Sequence, residues 1–200
     1  MALGQTSTPI HVNSAALKAA AEQENLVIKG ESGTHIRPSA VPDAESASLL
    51  LSSLKGCVVV LPPSARFSSA AVKHVDRCVL ILGTAVAGPV HLTDVTNSVL
   101  VFGCHQMRMH DARNVSLYLH CRSRPIIEDS ESIRFHEFGD SQGNMWDQVD
   151  DFKWLRSEKS PHWSAEQRGA GCEARWKEIG AKEVGELEVA KVLAELLPKT

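Results

Sequence analysis

The sequence has no excess of basic residues, and this absence already narrows the classes of function. Among its 200 residues, 21 Lys and Arg stand against 24 Asp and Glu, so the formal net charge is -3. A general nucleic-acid binder, or a protein that binds anionic membranes, is expected to carry a basic surplus. The sequence also lacks an apolar run of membrane-spanning length, a secretory leader, and a glycine at position 2 for myristoylation. We therefore expect a cytosolic protein that binds neither nucleic acid nor membranes.

Motifs for a self-contained active site are missing as well. The chain has no Gly-rich phosphate loop followed by Lys and Ser or Thr, no Gly-x-Ser-x-Gly and no His-Glu-x-x-His. Its five cysteines include no Cys-x-x-Cys pair, and most lie within apolar runs, which is typical of free buried thiols in a reducing compartment. The His and Cys residues between positions 104 and 136 match no tetrahedral zinc spacing. We expect no metal, no cofactor and no active site that the chain completes alone.

Short β-type runs recur through the middle of the chain at a nearly constant step. The runs begin 17 to 21 residues apart, at Cys57, Cys78, Ser98, Val115 and Ser132. A second series lies between them: Val90 and Leu92 are followed 17 residues later by Met107 and Met109, and Ile126 continues from Met109. Repeats of this length without a helix indicate stacked coils of strands that bury one another's apolar faces. A β-sandwich is the alternative, but Asn-Gly and Asp-Gly hairpin turns are absent between the runs.

Polar residues keep the same step and are expected at turns. Asp94, Asp111 and Glu128 precede main runs at intervals of 17 residues, which Asn97 and Asn114 share. Asp commonly hydrogen-bonds nearby backbone in turns. The acidic ladder is also the one candidate for the clustered carboxylates of a carbohydrate-active β-helix enzyme. We favour the structural interpretation.

The N-terminal residues, 1–45, differ in composition from the repeats. Ser14–Leu26 is rich in Ala, Glu and Gln and is predicted to form a short helix. Glu31–Glu45 is rich in Ser, Pro and Gly and is predicted to be a linker.

The remaining residues divide into a repeat domain, 46–165, and a tail, 166–200. Ser46–Leu54 is predicted as a helical turn that covers the first coil, and the aromatic segment Trp146–Trp163 as a cover for the last coil or a flank. Open sheet edges invite aggregation, so such covers are expected. Cys172–Leu197 has apolar residues roughly at helical spacing, so a helical tail is predicted.

The segment with the clearest chemistry is Gln106–His110. Read as a strand, it alternates between two faces, so Met107 and Met109 face the core while Gln106, Arg108 and His110 face outward. An ordinary solvated strand face would show the same pattern. Arg108 nonetheless suits one task, because a guanidinium is permanently charged, planar and able to bind phosphate oxygens in pairs. Supplied in trans to a GTPase, such an arginine stabilises the charge that develops during phosphoryl transfer.

Three stretches of the sequence resemble the C-terminal domain of the tubulin-specific chaperone C family, also called tubulin-folding cofactor C. The first is Cys104–His110, similar to the family's Gln-x-Arg segment. The second is Leu117–Asp129 with its Ser-Arg-Pro-Ile-Ile-Glu block, running on to Phe135. The third is Asn144–Leu155, followed by Ser-Pro-His-Trp-Ser at 160–164. The resemblance covers about residues 49–165.

The resemblance implies a fold and a set of roles. It implies a right-handed parallel β-helix, here with short flanking α-helices, and a GTPase-activating role toward tubulin, together with cofactors D and E, during assembly of the αβ heterodimer. The catalytic arginine would be Arg108 and its companion Gln106. The fixed block would include Arg124, Pro125, Glu128 and Phe135, whose larger role is expected to be structural, with Glu128 placed for a buried salt bridge to an arginine. His110, on the face of Arg108, joins them as a residue for partner binding or support, and the protein is expected in the cytoplasm, associated with the cytoskeleton.

Other proteins share this architecture and keep a second function open. One is an activator of a small Arf-like GTPase, the retinitis pigmentosa 2 protein, and another is the adenylyl-cyclase-associated family that binds actin. The alternative is therefore a non-catalytic scaffold that binds actin or a small GTPase. Such a scaffold would bind its partner without stimulating hydrolysis.

Overall fold

The computed structural model describes residues 25–41, 46–167, 169 and 171–199. Its strands and helices in chain order are β1 Asn25–Lys29, β2 His35–Ile36, β3 Ser48–Lys55, β4 Val58–Val60, β5 Ser69–Asp76, β6 Val79–Gly83, β7 Pro89–Thr96, β8 Val99–Cys104, β9 Gln106–His110, β10 Arg113–Cys121, β11 Ile126–Glu128, β12 Glu131–Glu137, β13 Asp150–Asp151, β14 Trp163–Ala165, α1 Cys172–Ala181 and α2 Val189–Leu196.

The strands stack into two walls, and the pairs between the named strands are parallel. The odd wall runs β1-β3-β5-β7-β9-β11-β13, and the even wall runs β2-β4-β6-β8-β10-β12-β14. Each coil adds one strand to each wall, which gives a solenoid of about six turns with two short helices. The predicted fold class, a right-handed parallel β-helix with short flanking helices, is confirmed.

The register confirms most of the predicted strand ladder and corrects one step. Leu92 pairs with Met109, as the 17-residue interval predicts. The next partner of Met109 is Ile127, whereas Ile126 pairs with Arg108, so the prediction that Ile126 continues the buried series is wrong. The coil between β9 and β11 is one residue longer, and a shift of one residue moves a side chain to the opposite face of a strand. Ile127 is accordingly buried, and Ile126 lies half-buried on the outer face.

The corners between the walls explain the polar ladder. In successive coils, two residues three positions apart adopt a positive φ. Asp94 and Asp111 hold the first of these positions, with φ of 53° and 54°, and the asparagines predicted with them hold the second. Asp and Asn tolerate this left-handed conformation better than most residues do. The third acidic residue at the corner is Asp129 rather than the predicted Glu128, which lies in β11, because of the same extra residue.

Stacked apolar side chains fill the space between the walls. Among the largest that are fully buried are Phe67, Phe102, Phe135, Met107 and Met109. Because each coil packs its interior on the coils above and below, the walls form a continuous and stiff support.

A second apolar cluster lies on the outer surface of the even wall, beneath the C-terminal helices. α1 buries Trp176 and Ile179 there, and α2 buries Val192 and Leu193. The outward side chains of the wall itself are apolar: Val58, Val60, Val79, Ile81, Val99 and Val101. Strands that are covered on both faces read as continuous apolar runs. The cover explains why the main runs of the sequence show no alternation.

The helical character predicted for Cys172–Leu197 is confirmed, but the segment forms two helices. Lys182, at the end of α1, is extended, and Gly185 has a φ of 94°. Because such a φ is incompatible with a right-handed helix, the chain turns before α2 begins.

Two predictions for the N-terminal part are wrong where the structure describes it. Ser14–Leu26 lies mostly outside the described residues, but its last two residues belong to β1. The predicted linker Glu31–Glu45 contains β2, which pairs with β4, and residues 42–45 lie outside the described part. This segment therefore contributes a coil to the solenoid, because its short strands gain partners from the next coil.

Ser46–Leu54, predicted as a helical turn, is a strand for most of its length. Leu49 and Leu51 are buried and Leu50 between them is not, which is the alternation of a strand. Pairing with β1 and β5 outweighs the helical preference of the leucine run.

The aromatic segment Trp146–Trp163 lies against the last coils, as expected. It contains β13, and Trp163 begins β14. Trp146 and Trp163 pack on the core, and the Trp163 ring meets Phe135 edge-on at 5.9 Å between centroids.

Candidate functional site

The outward face of β9 presents Arg108 on an anchored strand. Met107 and Met109 are 0% and 1% exposed, so both side chains lie in the core. Gln106 and His110 are half-buried, and Arg108 between them is exposed. The direction predicted for each of these side chains is confirmed.

The surroundings of Arg108 leave its guanidinium without a partner. Its register neighbours are His91 on β7 and Ile126 on β11, so neither adjacent strand places a carboxylate beside it. In the described part of the chain, the Arg108 side chain makes no hydrogen bond or ion pair. An exposed cation on a stiff wall can bind an anionic group from another molecule without first breaking an internal contact.

Other arginines of the solenoid are engaged inside the molecule. Arg113 lies 2.6 Å from Glu131 Oε1. Arg134 donates to Asn114 Oδ1 over 2.7 Å. These contacts join neighbouring coils, so they stabilise the stack rather than offer a charge to solvent.

His110 belongs to a charged cluster at the corner next to Arg108. Its Nδ1 lies 2.7 Å from Asp111 Oδ2 and its Nε2 lies 3.4 Å from Asp129 Oδ2. Lys153 Nζ lies 3.3 Å from the same Asp129 oxygen. One histidine and two carboxylates within reach of one another are a ligand set that a cation could use. The Lys153 ammonium already supplies a positive charge there, so we interpret the cluster as a network that holds His110 in place.

Arg124 joins two coils through an acid other than the predicted one. Its Nε donates to Asp150 Oδ2 over 2.8 Å, and its Nη2 donates to the other carboxylate oxygen. The hydrogen bonds and charge of Asp150 raise the pKa of Arg124. The expected salt bridge of Glu128 to an arginine is wrong: within the described residues, the Glu128 side chain has no ion-pair or hydrogen-bond partner. The acid that Arg124 meets begins β13, which sequence spacing did not reveal because the connection between β12 and β13 is irregular.

Pro125 and Phe135 are structural in this arrangement. The carbonyl of Pro125 accepts a hydrogen bond from Asp150 N over 2.8 Å, which docks β13. Phe135 is fully buried against Trp163. Both residues therefore support the wall without reaching its surface.

The sequence analysis did not single out His91 and Ile126 as neighbours of Arg108. His91 precedes Arg108 by the same 17-residue interval that relates the methionines to β7, so the repeat alone points to it. Ile126 escaped because the extra residue placed it in the interior on paper. Near the end of the same wall, Phe152 and Leu155 are 51% and 93% exposed.

Comparison with known proteins places this arrangement in a family. The family model described as Tubulin binding cofactor C matches residues 46–165. Tubulin-folding cofactor C of Arabidopsis thaliana is 36% identical over 129 residues, which cover 57% of this chain and 36% of that protein. Tubulin-specific chaperone C of Schizosaccharomyces pombe is 28% identical over 155 residues, covering 76% and 56%. Tubulin-specific chaperone C of Mus musculus is 36% identical over 135 residues, covering 58% and 38%.

The match spans between 36% and 56% of the length of these relatives. Among solved structures, Tubulin Binding Cofactor C from Leishmania major aligns with a TM-score of 0.48 and 20% identity, over 70% of this chain and 86% of that chain. None of the helices in the described residues has the length and apolar character needed to cross a membrane. Since the family model covers more than half of the sequence, the chain belongs to the tubulin binding cofactor C family.

Proposed function

We propose that this chain stimulates GTP hydrolysis by tubulin, together with tubulin-folding cofactors D and E, and that it does so by supplying Arg108 in trans. The nucleotide belongs to the partner, and this chain adds one side chain to the partner's site. Membership of the cofactor C family and the names of its relatives support tubulin as the partner. In this proposal the protein acts in the cytoplasm, in association with the cytoskeleton.

The observation that carries the proposal is the exposed and unpartnered guanidinium of Arg108 on β9. An arginine inserted into a GTPase site neutralises charge on the transferred phosphoryl group and typically raises the rate by about 10³- to 10⁵-fold. The buried methionines on either side fix the strand, so little conformational freedom is lost when the partner docks. Gln106, two residues earlier on the same face, orients Arg108 or contacts the partner.

The residues around Arg108 take supporting roles in this proposal. His110 and its carboxylates keep the end of β9 in place. Arg124 and Asp150 tie the next two coils together. Glu128 remains available for a partner contact, since its side chain is unpaired among the described residues.

The direct test replaces Arg108 by Ala. We expect GTP hydrolysis by tubulin, with cofactors D and E present, to lose stimulation on the order of 10³-fold. Arg122→Ala is the matched control, because Arg122 is exposed, carries the same charge and lies outside β9. Circular dichroism and thermal unfolding establish that both variants are folded. Full stimulation by folded Arg108→Ala would refute the catalytic role.

A second candidate is the non-catalytic scaffold, which the exposed Phe152 and Leu155 favour. Exposed apolar side chains near the end of a wall are typical of protein-binding surfaces. A scaffold predicts binding to actin or a small GTPase without stimulated hydrolysis. Co-sedimentation with actin filaments, measured beside the tubulin assay, separates the two functions.

A further inference from the structure

Two cysteines face each other in the corner that leads into β9. Cys104 ends β8, Cys121 ends β10, and the two residues are direct partners in the parallel register. Their sulfur atoms are 3.7 Å apart, with the Cys104 thiol donating to the Cys121 sulfur. Neighbouring strands lie about 4.8 Å apart, which falls within the Cα separation of about 4.4–6.8 Å that disulfides span. Rotation of the side chains is therefore enough to bring the two sulfurs together.

The corner gives a small oxidant access to one of the two sulfurs. Cys104 lines a cavity of about 380 Å³, with His105, His120 and Arg122 among its other lining residues. The Cys104 side chain keeps 6% exposure, whereas Cys121 is fully buried behind it. Basic groups beside a thiol favour its thiolate form, which is the reactive one.

The hydrogen bond between the sulfurs also divides their acidity. Donation by Cys104 lowers the pKa of Cys121 to about 7 and raises the pKa of Cys104. The pair therefore loses one proton near neutral pH and holds the other between the two sulfur atoms.

Cys57 and Cys78 show what an inert pair looks like in the same fold. They occupy equivalent corner positions in neighbouring coils and are fully buried. Each thiol donates to a backbone carbonyl, Cys57 to Lys55 O over 3.5 Å and Cys78 to Asp76 O over 3.3 Å. Burial raises the pKa of Cys78 to about 12. These thiols are structural and serve as internal controls.

We propose that Cys104 and Cys121 form a reversible disulfide, which makes the corner leading into β9 a redox-sensitive site. The oxidant is a peroxide. The Cys104 thiolate attacks one peroxide oxygen of hydrogen peroxide, an S–O bond forms, the O–O bond breaks, and the departing hydroxide leaves as water after protonation. The Cys121 sulfur then attacks the sulfenic sulfur, the S–S bond forms, the S–O bond breaks, and the hydroxide takes the Cys121 proton to leave as a second water. Two thiols are oxidised and one peroxide is reduced.

The new bond would reinforce contacts that already hold the corner. Arg122 N donates to Cys104 O over 3.3 Å, and Ser123 N donates to His105 O over 3.0 Å. A covalent link across the 17 residues between the cysteines restricts the unfolded chain as well. The oxidised protein should therefore unfold at a higher temperature than the reduced protein.

The test uses the reduced full chain treated with hydrogen peroxide at neutral pH. Thiols counted in denaturant should fall from five to three and return to five with dithiothreitol. Cleavage before aspartate separates residues 94–110 from 111–128, each with one cysteine, so the linked peptides identify the bond by mass. A count that stays at five, or sulfinic and sulfonic products without the linked peptides, would overturn the proposal.

Single variants assign the bond. Cys104→Ser and Cys121→Ser should each abolish the linked peptides and the rise in unfolding temperature. Cys57→Ser and Cys78→Ser should leave both unchanged, and persistence of the link in Cys104→Ser would contradict the assignment. If a serine variant fails to fold, the peptide map of the unmodified chain decides the question alone.

Discussion

At the scale of single residues, direction is local and partnership is not. Alternation along β9 was enough to predict that Arg108 points outward, because its two methionine neighbours point inward. The partner of Arg124 was missed, because Asp150 lies 26 residues away at the start of a strand with no repeat signal. Exposure could thus be predicted from the sequence, whereas the salt bridge needed the register of β13.

Met107→Ala tests whether the methionine anchors β9. Removing a fully buried side chain leaves a cavity, and we expect a loss of about 2–5 kcal/mol in the free energy of unfolding, measured by urea denaturation. Met107→Leu, which nearly conserves volume, should lose less than about 1.5 kcal/mol. Equal stability of the Ala variant and the parent would show that the anchor is weak.

At the scale of elements, the repeat predicted the strands and failed where its step changed. The main runs and the β7–β9 pairing followed from spacing of 17 to 21 residues. One added residue before β11 exchanged Ile126 for Ile127 and Glu128 for Asp129. β1 and β2 were missed because they are short and lie in segments whose composition favours helix or linker. Their strand pairing comes from the neighbouring coil, which local preference does not reveal.

The N-terminal coil should weaken on acidification because of His35 in β2. Burial, and then the charge of Arg37, lower the pKa of His35 below its ordinary value of 6.5. Below pH 6.5 the unfolded chain gains a proton that the folded chain resists, so stability falls as pH falls. The unfolding temperature should drop between pH 7 and pH 5, and His35→Leu should flatten that dependence. His136, whose pKa burial also lowers, contributes in the same direction. An unchanged slope in His35→Leu would contradict this role.

The cover of the even wall by α1 can be tested through Trp176. Its ring packs edge-on against Tyr118 at 5.0 Å between centroids and closes the apolar cluster outside the wall. Trp176→Ala should lower the free energy of unfolding by about 3–5 kcal/mol and increase binding of a fluorescent apolar dye. Lys177→Ala, the exposed neighbour, should change neither, and a silent Trp176→Ala would show that the helix contributes little.

At the scale of the whole molecule, the two walls differ in what they expose. Helices cover the even wall, whereas the odd wall presents His91, Arg108 and Ile126 on three adjacent strands. Stacked coils behave as a nearly one-dimensional support, in which each coil depends mainly on its neighbours. The proposed GTPase-facing site therefore sits on strands that are anchored on both sides. The apolar runs of the even wall, with no polar alternation, already indicated a cover, and this signal explains the helical tail that the family resemblance left without a role.

The central claim is that Arg108 acts on the chemical step of the partner rather than on binding. The most direct measurement is the maximal rate of GTP hydrolysis by tubulin, with cofactors D and E, at saturating concentrations of the parent chain and of Arg108→Ala. We expect the variant to bind, to compete with the parent for the complex, and to leave the maximal rate close to its unstimulated value. A variant that reaches the parent's maximal rate at higher concentration would contradict the account, because Arg108 would then contribute to affinity alone.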